Sequence, residues 1–546
     1  MKKIISILMI LALTVPLFSC GNENSEVGCS KCGKADTSLI CSACAAAEKK
    51  DDTTDSSSKT ESTLTPNPAE DPTKARQRFL CWDTSLIAKS SGLEIAQHKP
   101  QKQNIALACN DDWDGVHNGY PTVIKVGDTY RMYYRVGGQE GEVFVNEDFP
   151  PNKNAVCVAE SKDGINFTKP VIGKFEYWGE KENNIVFDGS ASFSVFYDTN
   201  PDCPKEEKFK ALNVVPNKEV LNYYCSADGY DFKYVDTVRL ADGLYDTYNT
   251  AFWDESEKVY KLYYRGWHHP DGTTILNGQG LDSYVDIRDI RLATSKDFRK
   301  WEHVGVVKVE GYKDPQMYTN QIAPYYREKN TFLGFPVRYL DRVDDEDSFN
   351  DMPISSDRNF VPGRSATALT DCGIMTSKDG LKFNMSKKAF LTSGLENSAN
   401  WWYGDGYTAY GMIETIADDG ENREISMYVG EGYRVKKVSF RRYTIRLDGF
   451  FSWNTDVDGA TVTTKSFVLK HENMYANFAT SALGSLKFTI LDKNGKEIKG
   501  YKSNTLFADS TNRPVRFEKS LKDLVGKEIK LKIEMTDCDL YSYTFE

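Results

Sequence analysis

SKDGINF at 161–167 returns as SADGYDF at 226–232, SKDFRKW at 295–301 and SKDGLKF at 377–383, and in degenerate form as RLDGFF at 446–451. An Asp-Gly pair supplies the positive φ of a tight hairpin turn, and the aromatic residue that follows returns the chain to a core. Each copy follows an apolar strand: NAVCVAE, VLNYYC, DIRLAT, DCGIMT and YTI. Asp163, Asp228, Asp297, Asp379 and Asp448 therefore read as turn-forming residues.

Two further strands precede each turn. They are YPTVIKV and TYRMYYR, FSVFYD and KFKALNVV, TAFWD and VYKLYYRGW, NQIAPYY and FLGFPVRY, YGMIETI and ISMYVGEGY. A hairpin motif that keeps its place in successive units of three or four antiparallel strands predicts blades around an axis, because each sheet must bury both faces against its neighbours. The expected fold is all-β: a five-bladed β-propeller over 77–450. Beyond it, alternating segments such as SLKFTILDKNGKEIKGY and VGKEIKLKIEM predict a β-sandwich over 451–546.

The chain opens with MKKIISILMILALTVPLFSC: two lysines, an apolar run and a small-residue approach to cysteine. This reads as a signal peptide over 1–19 and resembles a bacterial lipobox, with Cys20 as the lipidated residue. The expected location is extracytoplasmic, anchored to a bacterial membrane. Residues 20–76 form a tether, since 45–76 carry almost no large apolar side chain with which to offset ordering entropy. Within it, Cys29, Cys32, Cys41 and Cys44 make a paired C-x2-C array. Four thiolates suit a tetrahedral zinc, whereas an extracytoplasmic setting equally suits two disulfides, and an unordered segment is the third reading. The other cysteines show no regular spacing and read as buried apolar residues. A formal charge of −11 and a pI near 5.3 exclude a broad electrostatic grip on nucleic acid.

In a propeller the innermost strand of each blade starts at one mouth of the channel, and the second strand ends there. Residues just before first strands and just after second strands are therefore expected to converge. The pre-strand positions are acidic: Asp112 and Asp114, with His117, in blade one, Asp188 in blade two, Asp246 in blade three, and Asp405 beside Trp402 in blade five. The second strands end in Arg135, Arg265 with His268, Arg338 and Glu431. A pair of carboxyls in opposite protonation states is what glycosidic cleavage needs. Trp267, Tyr318 and Trp402 offer stacking faces for sugar rings. The arginines either pair with the aspartates or cradle an anionic group on a ligand.

With its five blades, pre-strand aspartates, SxDGxxF turns and trailing sandwich, the stretch from 77 to 546 resembles the invertase/levanase and arabinanase/xylosidase glycoside hydrolases. The resemblance implies acids from blades one, two and three. Here these are Asp112 or Asp114 as base or nucleophile, Asp188 as the orienting group and Asp246 as general acid. The family's WMNDPNG, Arg-Asp-Pro and Glu-Cys stretches are absent, so these positions correspond by place in the blade. The expected activity is a glycosidase acting on an oligo- or polysaccharide without a catalytic cofactor. Calcium in the channel, the sugar, the linkage and the oligomeric state are not read from the sequence. A non-catalytic glycan-binding lipoprotein and a sialidase-like hydrolase are the alternatives.

Overall fold

The structure, a computed structural model, describes residues 65–115, 119–137, 154–177, 179–189, 192–215, 220–312, 315–342, 346–353, 367–401, 403–433 and 438–546. Cys20, Cys29, Cys32, Cys41, Cys44, His117 and Trp402 lie outside the described residues.

Five antiparallel sheets form the blades of a β-propeller. From the axis outward, blade one consists of Gly119–Val126, Thr129–Gly137, Asn154–Ser161 and Ile185–Asp188. Blade two consists of Phe193–Tyr197, Phe209–Val215, Val220–Ser226 and Lys233–Val238. Blade three follows with Thr250–Asp254, Val259–His268, Ile287–Ser295 and Glu302–Val306. Blade four has Ala323–Tyr325, Glu328–Gly334, Met375–Ser377 and Lys382–Met385, with Lys308–Glu310 added in parallel outside. Blade five has Ile413–Ile416, Arg423–Glu431 and Ser439–Arg446, and its outermost strand is Gln101–Ala108 from the other end of the domain. That last pairing closes the ring with a non-local strand.

Each pair of neighbouring blades encloses its own apolar core, and alternation along one strand decides which core a side chain enters. In blade one, Met132 and Tyr134 face the core shared with blade five, while Tyr133 faces the core shared with blade two. Strands buried on both faces read as nearly continuous apolar runs, which is why MYY and VCV look so uniform in the sequence. Burial of one such side chain contributes roughly 1.5–3 kcal/mol.

The hairpin ends behave as the motif predicts. Asp163 Oδ1 accepts the backbone N–H groups of Ile165 (2.7 Å) and Asn166 (2.9 Å), and Asp228, Asp297 and Asp379 repeat this geometry. Gly164, Gly229 and Gly380 take φ of 71°, 80° and 75°, and in the third copy Phe298 adopts φ 62° in place of glycine. A tyrosine of the preceding blade meets each turn. Tyr133 Oη donates to the Gly229 carbonyl at 3.0 Å, Tyr263 to Gly380 at 2.7 Å, and Tyr428 to Gly164. Tyr223 instead meets Phe298 edge-on at 4.7 Å, and Tyr325 donates to Asp448 at 2.7 Å. The repeat is thus a latch between blades as well as a turn.

The segment 77–97, expected to open the propeller, belongs to the C-terminal sheet. Gln77–Leu80 pairs with Glu528–Phe545, Ile87–Ser91 with Ala460–Thr464, and Glu94–Gln97 with Phe451–Thr455. The reason is apolar surface: Phe79 stacks on Tyr543 at 4.9 Å and on Phe467 at 4.6 Å. In this sandwich the long strands Met474–Asp492 and Glu528–Phe545 pair through an irregularity between Thr480 and Ser485, and enclose Trp453, Phe478, Phe488 and Leu531. Asp448, the fifth repeat aspartate, ties sandwich to propeller. It is fully buried and accepts from Arg327 Nε at 2.8 Å and from Ser542 Oγ at 2.7 Å, with Arg78 Nε at 3.6 Å. Despite its burial, the two guanidiniums hold its carboxyl well below the usual range.

Candidate functional site

Blade three supplies an exposed acid at the mouth. The Asp246 side chain is 62% exposed, and its Oδ1 accepts from Arg265 Nη1 at 2.8 Å, whereas Arg265 itself is 1% exposed. Arg265 can be buried because its other nitrogen donates to the Tyr318 carbonyl and its guanidinium lies over the Tyr318 ring, 4.6 Å from the centroid. A buried arginine thus presents a solvent-facing carboxylate with one orientation.

Tyr318 is the hub of an aromatic cluster. It stacks on Tyr339 (5.9 Å) and meets Tyr403 (5.6 Å) and Tyr407 (6.0 Å) edge-on, and its hydroxyl bonds that of Tyr403. Tyr120, with φ 49°, continues the cluster to Tyr407 at 6.0 Å, and Arg135 lies 5.0 Å over its ring while donating to Tyr433 Oη at 2.9 Å. Burial pushes the Tyr120, Tyr318 and Tyr407 hydroxyls up, so they remain neutral donors near neutral pH. The space left between Tyr120, Arg135, Tyr403, Tyr407 and Tyr433 is about 20 Å³, enough for a water and no more. Tyrosines thus fill this part of the mouth, between blades one and five.

Two of the other expected acids, Asp114 and Asp188, stand apart from the innermost strands' mouth-facing surface. Asp114 is fully buried in blade one, where Lys169 Nζ lies 2.5 Å from its Oδ2 and 2.7 Å from Asp111, and the Asp111 N–H donates to it at 3.0 Å. Burial raises its carboxyl despite the lysine, and it has no surface to offer a ligand. The charge of Asp111 and Asp114 is thus offset by a lysine much later in the chain. Asp112, on the same loop, is exposed. Asp188 ends the outermost strand of blade one, opposite Ala155. At ordinary strand spacing it stands roughly 14 Å out from the innermost strand. Burial also raises its carboxyl.

The expected ligand contacts divide similarly. Asp405 is buried and accepts the Trp401 N–H at 2.6 Å, fixing a loop. Glu431 accepts from Lys102 at 2.7 Å and Arg441 at 2.8 Å, bonds across the strands of blade five. His268 Nδ1 lies 2.9 Å from Asp289 Oδ2 on the opposite face of blade three from Arg265. Arg338 is clasped by Asp371, its direct cross-strand partner, with Nε to Oδ1 at 2.6 Å and Nη2 to Oδ2. Arg265 and Arg338 thus pair with carboxylates, as one of the two sequence readings had it. Among the described residues no group of three metal-ligating side chains is found. Of the described cysteines, all but the half-buried Cys225 are buried.

Sequence reasoning missed Tyr120, Tyr339, Tyr403, Tyr407 and Tyr433, which read as blade filler. It also passed over the long interval between the turns at 295 and 377. Part of that interval builds an extra two-stranded ribbon, Val337–Asp341 with Ala368–Cys372, which extends blade four at the mouth.

No protein-family model matches the sequence, and no curated protein matches it. Solved structures similar to this chain include a thermostable family-43 glycoside hydrolase (TM-score 0.35, 13% identity, covering 62% of this chain and 92% of that one). A fructofuranosidase variant from Schwanniomyces occidentalis complexed with fructosylnystose is similar at TM-score 0.38 and 9% identity, over 81% of this chain and 96% of that one. An N-acetylgalactosamine deacetylase from F. plautii in complex with blood group B trisaccharide is similar at TM-score 0.39 and 12% identity, over 65% of this chain and 95% of that one. The likeness is one of architecture.

Proposed function

We propose that the protein is a glycoside hydrolase whose reacting carboxylate is Asp246. The observation that carries this reading is the exposed Asp246 carboxylate held by a buried arginine beside a wall of tyrosines. A carboxylate already ion-paired suits the charged roles of nucleophile or base better than the acid role the sequence resemblance implied. Asp112, exposed on the loop entering blade one, is the candidate for the partner carboxyl. The aromatic faces beside Asp246 suit the C–H faces of sugar rings. We also propose attachment to a membrane through a lipidated Cys20, a reading supported by the N-terminal sequence, and zinc or disulfides at Cys29, Cys32, Cys41 and Cys44.

A second reading, glycan binding without cleavage, is favoured by one observation: Asp114 and Asp405 are buried and Asp188 stands on an outer strand, so Asp246 is separated from the other expected acids. Incubating the purified protein with pooled plant and host oligosaccharides, and measuring new reducing ends, tests the choice. Release from at least one member supports hydrolysis. Retention on an immobilised glycan with no release from any member establishes the binding reading instead.

A further inference from the structure

The space among Tyr120, Tyr403, Tyr407 and Tyr433 is small, but a cavity of about 410 Å³ lies under the blade-four ribbon. That is within the range of small-molecule pockets, roughly 300–1,000 Å³. Its lining includes Tyr339, the Arg338–Asp371 pair, Thr370, Thr392 and Trp401. Tyr339 stacks on Tyr318, whose ring lies under Arg265, so one run of contacts joins the cavity to the Asp246 carboxylate.

We infer that this cavity is a second glycan subsite, and that the substrate is a chain of at least two sugar units running from Asp246 past the edge of the Tyr318–Tyr339 stack, whose faces are covered by Arg265 and Arg288, to Trp401. The inference rests on the proposed glycan-active mouth and extends it. Two features fit a sugar ring. The Trp401 indole is fixed from both ends: its backbone N–H donates to Asp405 at 2.6 Å and its Nε1 to the Gly394 carbonyl at 2.9 Å, with the residue itself at φ 59°. An aromatic face held this way loses little entropy on stacking. In the same lining, the guanidinium of Arg338 and the carboxylate of Asp371 place donors and acceptors side by side, and a carboxylate oxygen that accepts one bond keeps a lone pair for a hydroxyl. Asp405, expected to touch substrate directly, is on this account a positioning residue for Trp401.

The test compares kcat/KM on aryl monoglycosides and on matched oligosaccharides of two to six units, for wild type, Trp401→Ala and Thr392→Trp. The second variant fills the cavity from an exposed position and keeps the test informative if Trp401→Ala fails to fold. The expected result is a loss at least about tenfold greater on the oligosaccharides than on the monoglycoside, carried mainly by KM. Equal losses on all lengths, or no loss with Thr392→Trp, would overturn the subsite while leaving hydrolysis at Asp246 standing. Wild type that neither binds nor cleaves any of these glycans would overturn both.

Discussion

The Arg265 guanidinium, 1% exposed, holds an Asp246 carboxylate that is 62% exposed, across 2.8 Å. The asymmetry has a consequence. The arginine cannot move without disturbing Tyr318, to whose carbonyl and ring it is also bound, so the carboxylate inherits the rigidity of the blade. Arg265→Lys keeps the charge but replaces a planar fork with a single ammonium that cannot serve both partners. The expected effect is a roughly 10–100-fold fall in kcat with KM changed less than threefold, read from steady-state kinetics on any substrate found.

A related outcome concerns ligand charge. Arg265 and Arg338 are each paired with an aspartate, and Arg135 lies between the Tyr120 and Tyr433 rings. Arg135→Lys is therefore expected to lower kcat/KM by a similar factor on neutral and on uronic or sulfated oligosaccharides. A selective loss on the charged substrate would show instead that the guanidinium faces the ligand.

The latch between blades predicts a contrast between two glycines. Gly380 has φ 75°, and a Cβ there would lie 2.6 Å from the Tyr263 hydroxyl that bonds its carbonyl, whereas Gly495 has φ 88° with nothing within 4 Å. Both alanine variants carry backbone strain of about 1 kcal/mol. Gly380→Ala is expected to cost about 1–3 kcal/mol more, because an inter-blade hydrogen bond must also shift. Urea denaturation of the two variants measures the difference.

Asp448 should make the propeller–sandwich junction acid-sensitive. Its carboxyl is depressed by Arg327 and Arg78, so its stabilising contribution is fully present above the ordinary carboxylate value of about 4 and is lost as pH falls through that value toward the folded one. Asp448→Asn leaves the guanidiniums of Arg78 and Arg327 to share Glu70 as their remaining close counter-ion and is expected to cost roughly 2–4 kcal/mol at pH 7. Thermal melts from pH 3 to 7 should show a Tm for the variant that is lower and flatter with pH than that of wild type.

The strands and the turn aspartates were legible in the sequence because both are local. Alternation and Asp-Gly chemistry are written within about ten residues. Ring closure by Gln101–Ala108, and the loan of 77–97 to the sandwich, are pairings with segments more than three hundred residues away, and such pairings leave no local mark. Even the copy in which Phe298 takes the left-handed place of glycine was legible, because its serine, aspartate and closing aromatic keep their spacing. The pairing of Asp246 with Arg265 was legible, and the placement of the other expected residues was obscured for a physical reason. Place before a strand fixes height along the axis but not distance from it, so Asp188, on a fourth strand, looked equivalent to Asp246. Burial of Asp114 by Lys169 depends on a partner that no nearby residue announces.

The anchor is testable independently of the site. Cys20→Ala is expected to move the protein from the membrane to the soluble fraction with unchanged thermal stability. A need for detergent to extract the variant would contradict lipidation.

The most direct measurement is Asp246→Asn against a confirmed glycan, with cleavage followed by reducing-end release and binding by calorimetry. Asparagine keeps an acceptor for Arg265, so folding and binding should persist, with Kd within about threefold, while turnover falls at least about a hundredfold. Near-wild-type turnover in this variant would contradict the assignment of Asp246 as the reacting carboxylate.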